Sequence, residues 1–256
     1  MIMSTLRLSD VSMTYLSKTE ATTAIEHIDL VVEDGEFISL LGPSGCGKTT
    51  LLSLIGGLLS PTTGEITLNG TNVTQIEANT GYMLQQDYLF PWLSIESNIM
   101  IGQTILGHDS KKGKDFALSL LDQMGLLDKK NQYPSQLSGG MRQRVALVRM
   151  LATNPSLMLL DEPFSALDYQ TKLKLEDLVF TTLKAEQKTA ILVTHDIGEA
   201  IAMSDRVILL SPRPGKIHTI FEMPSELRHS LPFEARQSSL YNEQFQLIWK
   251  ELESLE

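Results

Sequence analysis

Phe37-Ile38-Ser39-Leu40-Leu41-Gly42-Pro43-Ser44-Gly45-Cys46-Gly47-Lys48-Thr49 constrains everything around it. Its apolar beginning reads as a short buried strand, its middle as a glycine-rich turn, and residues 49–59 continue as a helix that Pro61 and Gly64 close. The turn fits G-x-x-x-x-G-K-[ST] between a strand and a helix start, where that pattern has a mechanism. Glycines let successive backbone N–H groups converge on phosphate oxygens, and the helix N-terminus adds a favourable field. Lys48 reaches the outer phosphates and the Thr49 hydroxyl can ligate Mg²⁺. The bland alternative is a tight turn with an incidental lysine, and the flanking strand and helix argue against it. The implied ligand is a nucleoside triphosphate with Mg²⁺.

Working outward, alternating apolar positions over residues 6–13 and 28–32 read as half-buried antiparallel strands. Short strands follow around residues 65–68 and 81–84. Residues 91–153 then change to helical patterns with no convincing strand, as in Phe116-Ala117-Leu118-Ser119-Leu120-Leu121. Strands resume at 157–160 and 189–193, separated by a long helix over 169–186, and two more occupy 206–211 and 216–221. The alternation predicts an α/β fold, a P-loop NTPase core with a mostly parallel sheet and an antiparallel β subdomain. A helical lobe is inserted at about residues 88–155. The expected division is a main domain over 1–220 and a C-terminal helical extension over 221–256.

Composition narrows the partners. The chain has 256 residues, of which 42% are apolar, and its 17 glycines bring it to the content of ordinary globular domains. Lys+Arg 21 against Asp+Glu 31 leaves a net charge of −10, the wrong sign for tracking a nucleic-acid backbone. One cysteine, Cys46, rules out an internal disulfide and any Cys-only metal site. No segment approaches the roughly 18 apolar residues of a membrane span. Residues 1–10 lack the basic flank and apolar core of a signal peptide, so the chain by itself is expected to be soluble and unexported.

Two further sites carry chemistry. Asp161 and Glu162 close the strand 157–160, at the strand end where open α/β sheets bind ligands. There Asp161 would hold Mg²⁺ through water and Glu162 would act as general base on the attacking water; a solvated acidic pair is the plainer reading. Leu137-Ser138-Gly139-Gly140-Met141 precedes a helical pattern, so Ser138 caps a second helix N-terminus fit for an anion. One triphosphate already has its cradle, so this second site needs another ligand or another copy of the chain.

With these motifs in order, residues 4–220 resemble the ATP-binding subunits of ABC transporters. Gly42, Pro43, Ser44, Gly45, Cys46, Gly47, Lys48, Thr49 and Thr50 match the family's phosphate loop, and residues 137–141 match its signature motif, with Met141 where Gln is common. Ser165-Ala166-Leu167-Asp168 matches the D-loop, His195 the switch histidine and Gln85 the Q-loop glutamine. Tyr15 matches the aromatic that stacks on adenine; otherwise it is a half-buried strand tyrosine. The resemblance implies ATP and Mg²⁺ as ligands, with Thr49, Gln85 and Asp161 at the metal and Glu162, His195, Gln85 and Lys48 serving hydrolysis. It implies a head-to-tail homodimer in which Ser138 and Gly140 act in trans on the partner copy's nucleotide, with Gly139 and Asp168 also counted among the nucleotide-binding residues.

Separate membrane permease subunits are then required, with residues 89–92 as the region that receives a short permease helix; lobe core is the alternative for those residues. Phe90-Pro91-Trp92 and Leu210-Ser211-Pro212-Arg213-Pro214-Gly215-Lys216-Ile217 look like the nitrate, sulfonate and taurine importer group, whose thiamine-precursor relatives share the same marks. That group works with an extracytoplasmic solute-binding protein and would place this chain at the cytoplasmic face of the membrane, with no nucleic acid as partner. The competing readings are a soluble non-transport ABC-type ATPase and a nucleotide-binding module without turnover. Tyr241, Phe245, Ile248, Leu252 and Leu255 form one apolar helical face, which either packs on the chain's own core or faces a partner.

Overall fold

The computed structural model describes residues 6–73, 79–107 and 110–255. Residues 1–5, part of the segment read for a signal peptide and of the resemblance, lie outside the described residues, as does residue 256 of the C-terminal extension. In chain order the first elements are β1 (Leu6–Leu16), β2 (Ala21–Val32), β3 (Phe37–Leu41), α1 (Lys48–Ile55), β4 (Thr63–Leu68) and β5 (Thr71–Asn72). Next come β6 (Thr80–Met83), α2 (Ile95–Ile105), α3 (Lys111–Gln123), α4 (Gly139–Leu151), β7 (Leu157–Asp161) and α5 (Tyr169–Ala185). The chain ends with β8 (Thr189–Val193), α6 (Ile197–Met203), β9 (Arg206–Leu210), β10 (Ile217–Glu222), α7 (Ser225–His229), α8 (Pro232–Ala235) and α9 (Ser239–Glu253).

Two compact units divide these elements, one of Met1–Glu77 with Glu176–Glu256 and one of Ala78–Leu175. In the first, β3 lies between β8 and β9 and pairs parallel with both, as in Leu40↔Val193 and Leu40↔Ile208. All five residues of β3 are buried, which explains why its apolar run lacks the alternation of a half-exposed strand. β10 pairs antiparallel to β9. A separate antiparallel sheet runs in the order β2-β1-β4-β5. These strands are longer than the alternation predicts because register shifts break it: β1 slips against β2 between Leu8 and Val11, where Asp10 takes φ +49°.

In the second unit β6 and β7 pair parallel, with Met83 opposite Leu160. Between them in sequence come α2, α3 and α4, matching the helical reading of residues 91–153. The two units together give the α/β class expected, parallel core strands with an antiparallel subdomain.

One expectation fails. The helix after the phosphate loop ends at Ile55 rather than running to residue 59, capped by Gly56 and followed by Gly57 at φ +68°. A glycine that enters the left-handed region stops the helix before Pro61 can.

At the C-terminus α9 lays Ile248, fully buried, with Tyr241, Phe245, Leu252 and Leu255 against a core that includes Ile197, Ile201 and Leu209. The apolar face therefore packs on its own unit. On its flanks Leu247 and Trp249 are exposed, the Trp249 ring stacked on that of Phe245.

Candidate functional site

In the first unit β3 delivers the chain into a loop whose shape only glycine permits at two points. Gly42 has φ +153°, and a Cβ there would lie 2.8 Å from Leu210 O and 2.9 Å from Cys46 Sγ. Gly47 has φ +100°, with Ile25 Cγ2 2.5 Å and Ala24 O 2.9 Å from the same hypothetical atom. The loop is thus hemmed in at both glycines by a backbone carbonyl and a side-chain atom, leaving no room for a Cβ. α1 starts at Lys48 with no side-chain cap and no acidic residue in its first turn, so its first N–H groups and its positive end are offered to an anion.

Lys48 closes this loop from within. Its Nζ donates to Gly42 O at 2.7 Å and to Pro43 O at 3.0 Å, and lies 3.7 Å from Cys46 Sγ. The ammonium is half-buried at the mouth of the cradle, among the backbone groups that would face a phosphate. Cys46 is buried and acts as loop filling. Ser44, Gly45 and Thr49 are exposed. Tyr15, 42% exposed near the end of β1, sets its hydroxyl 3.3 Å from Thr50 Oγ1, so a flat ring stands beside the start of α1. His195 follows β8 and is exposed.

One segment missed in sequence as a support of this loop is 211–215. Gly215 sits so close to the Cys46 carbonyl that any Cβ would collide with it, and its N–H donates to Ala24 O at 2.9 Å. Arg213 brings a guanidinium nitrogen within 3.8 Å of where a Gly45 Cβ would stand. The target of Gly215 is a backbone carbonyl, which carries no side-chain signal.

In the second unit β7 ends on Asp161, which is 3% exposed, and the next residue, Glu162, turns at φ +48°. Gln85 Nε2 donates to Glu162 Oε2 at 3.2 Å, so the Q-loop glutamine and the candidate base meet. Ser165 Oγ donates to Glu162 O at 2.9 Å and fixes the turn. Asp168 caps α5 by accepting from Thr171 N at 3.0 Å, and the Thr171 hydroxyl and N–H hold its carboxyl below the usual range.

Ser138 is the N-cap of α4, its Oγ accepting from Met141 N at 3.3 Å, and it is exposed together with Gly139. Gly140 is tighter: a Cβ would lie 3.2 Å from Ala166 O and 3.3 Å from Leu167 Cδ2, so the 165–168 segment packs on the start of this helix. As residue types, Thr49, Gln85 and Asp161 each offer an oxygen donor, which suits a hard cation such as Mg²⁺.

Beside Gln85 the second unit has a cavity of about 390 Å³ lined among others by Tyr88, Phe90, Ile101, Arg149 and Met150. At its edge Trp92 is 70% exposed, with its ring 5.5 Å from that of Phe90. No helix among the described residues is long and apolar enough to cross a membrane.

The comparisons with known proteins agree with this geometry. Residues 25–165 match the family model described as ABC transporter. An uncharacterized ABC transporter ATP-binding protein, YtlC of Bacillus subtilis, is 59% identical over 99% of this chain and 98% of its own length. The taurine import ATP-binding protein TauB of Roseobacter denitrificans is 43% identical over 87% of this chain and 83% of its own. Among solved structures, the dimeric post-hydrolysis state of the ATP-binding cassette MJ0796, bound to ADP and Pi, superposes with a TM-score of 0.79. It is 32% identical and covers 86% of this chain and 99% of that one.

Proposed function

The chain belongs to the ABC transporter family of ATP-binding proteins, and from that premise we propose that it is the ATPase subunit of a binding-protein-dependent importer for a small solute. The observation that carries the reading is the phosphate loop, where Gly42 and Gly47 take left-handed backbone with no room for a side chain and Lys48 lies at the mouth. The relatives named for taurine, aliphatic sulfonate and nitrate import support a solute of that type.

Each residue then has a task. Backbone N–H groups of Gly42 and residues 44–50 and the Lys48 ammonium bind the phosphates of ATP, and Tyr15 stacks on the adenine. Thr49, Gln85 and Asp161 would hold Mg²⁺, which would supply Lewis-acid stabilisation of phosphate charge. Glu162 takes a proton from a water whose oxygen attacks the γ-phosphorus; the bond to the β–γ bridging oxygen breaks, leaving ADP and phosphate. Gln85 orients Glu162 and the water, and His195 contacts the γ-phosphate. Ser138, Gly139, Gly140 and Asp168 act toward the nucleotide of a second copy in a head-to-tail dimer, a reading supported by the dimeric MJ0796 cassette. ATP then favours the closed pair and hydrolysis releases it.

For the work to reach a solute, permease subunits dock at the cytoplasmic face of the membrane, with Trp92 and the cavity beside Phe90 as the receiving surface. Glu162→Gln is the test. It is expected to lower steady-state hydrolysis by about 10² to 10⁴-fold while ATP binding is retained. Unchanged turnover would remove Glu162 as the base.

A further inference from the structure

Arg142 and Arg149 lie seven residues apart on α4, two helical turns, so both side chains leave from the same face. The 87–90 segment, a few residues past Gln85, runs along that face. Arg142 Nε donates to Asp87 Oδ2 at 2.9 Å and its Nη1 to Leu137 O at 3.1 Å. Both partners of that ion pair are partly exposed, at 37% and 25%, which is the weak kind of contact. Arg149 is engaged differently. Its Nη1 donates to Tyr88 O at 2.9 Å and its Nη2 to Asp87 O at 2.8 Å, and its guanidinium lies 6.0 Å from the centroid of the Phe90 ring.

The carbonyl that Arg149 grips belongs to a residue in an unfavourable conformation. Tyr88 has φ +40°, a left-handed backbone that an aromatic side chain rarely adopts and that persists only when its surroundings hold it. Burial draws the pKa of Arg149 below its ordinary value, with the Asp87 charge acting the other way, so the cation has given up water for these partners. The planar guanidinium meets two successive carbonyls with two separate nitrogens in a fixed fork, so it sets their direction as well as their distance.

We infer that Arg149 is a positioning residue for hydrolysis, fixing the 87–88 backbone so that Gln85, two residues before it, meets Glu162. This rests on the reading of Glu162 as the base. Arg149 touches neither carboxylate nor substrate in this scheme; it acts through the loop. The same segment continues to Phe90 and Trp92, so the backbone that Arg149 clamps joins that exposed surface to Gln85.

A double-mutant cycle on the purified full-length chain with Mg-ATP tests it, using Arg149→Gln, Gln85→Ala and the pair, with Glu162→Gln in parallel. Arg149→Gln is expected to lower kcat by about ten- to a hundredfold, the cost of misplacing a reacting group by about an ångström. KM for ATP should stay within about twofold, since the phosphate loop is untouched. Combined with Gln85→Ala it should cost nothing further, because both changes break one path. Losses that multiply, a Gln85→Ala variant with full turnover, or a raised KM at unchanged kcat would each overturn the inference. Should Arg149→Gln fail to fold, Arg149→Lys enters the same cycle, keeping the charge and one carbonyl contact; it is expected to lose less kcat. Wild-type turnover by Glu162→Gln would instead sink the underlying reading, and this inference with it.

Discussion

Gly47→Ala asks whether the phosphate loop is shaped by sterics, and Gly70→Ala supplies its control. Both glycines are left-handed, at φ +100° and φ +76°. Gly70, in the turn between β4 and β5, has nothing within 4 Å of a hypothetical Cβ, whereas at Gly47 that atom would press on Ile25 Cγ2 at 2.5 Å and Ala24 O at 2.9 Å. The conformational cost of alanine in this region is about 1–2 kcal/mol at either position. Only position 47 adds overpacking, about 1–3 kcal/mol. Gly70→Ala is therefore expected to lose about 1–2 kcal/mol and Gly47→Ala about 2–5 kcal/mol. At roughly 2–4 °C per kcal/mol, their unfolding midpoints should differ by about 2–12 °C. Thermal unfolding with and without Mg-ATP adds a second axis, since a ligand that binds only the folded state raises the midpoint. Gly70→Ala should keep that rise and Gly47→Ala should lose most of it, because relief of the clash moves the N–H groups that bind phosphate. Equal midpoints for the two variants, or a full nucleotide-induced rise in Gly47→Ala, would refute the steric account.

Other expectations follow from single features. Ile248→Ala should cost about 2–5 kcal/mol in denaturant unfolding, because Ile248 is fully buried where α9 meets α6; a loss below about 1 kcal/mol would mean the helix is dispensable to its unit. Asn98, fully buried, accepts from Phe90 N at 2.8 Å and donates to Phe90 O, Leu93 O and Ser94 O at 3.1, 3.1 and 3.0 Å. Asn98→Leu leaves those groups without it and should destabilise by at least about 1–3 kcal/mol, read by chemical denaturation. The Asp10 carboxylate, 2.5 Å from His27 Nδ1, holds the His27 pKa above its ordinary 6.5 by hydrogen bond and charge. A raised folded value means the pair's contribution is complete below about 6.5 and fades as pH rises through the raised value. Imidazole titration by NMR should show the pKa falling toward 6.5 in Asp10→Asn; no change would remove Asp10 as the cause.

The phosphate loop was legible because an unbroken apolar run, a glycine spacing and a lysine coincide, and each has a separate physical reason to be there. The acidic end of β7 and the Ser138 cap were legible for the same reason: side chains do the work, so residue types record it. What escaped the sequence acts on backbone. α1 stops at Gly56 and Gly57 because a left-handed turn intervenes, while the later Pro61 is the louder signal. The bulges in β1 hide its full length by breaking the two-residue alternation that betrays a strand. Arg149 reads as one more basic residue of an amphipathic helix, since its partners are the carbonyls of Asp87 and Tyr88. Gly215 looks like turn punctuation, and only its contact with Cys46 O connects it to the phosphate loop.

The place of β3 between β8 and β9 has a consequence for how the chain is born. The strand that launches the phosphate loop leaves the ribosome long before either neighbour, for Leu41 precedes its β9 partner Leu209 by most of the chain. At about 5–20 residues per second, the run Phe37-Ile38-Ser39-Leu40-Leu41 waits roughly ten to thirty seconds with both edges unpaired. For that interval a strand buried along its whole length in the finished protein is an unsatisfied β-template, open to chaperones and to other nascent copies. Translation pauses placed after Leu210 would be harmless; the same pauses placed before Thr189 would lengthen the exposure and should raise the aggregated fraction.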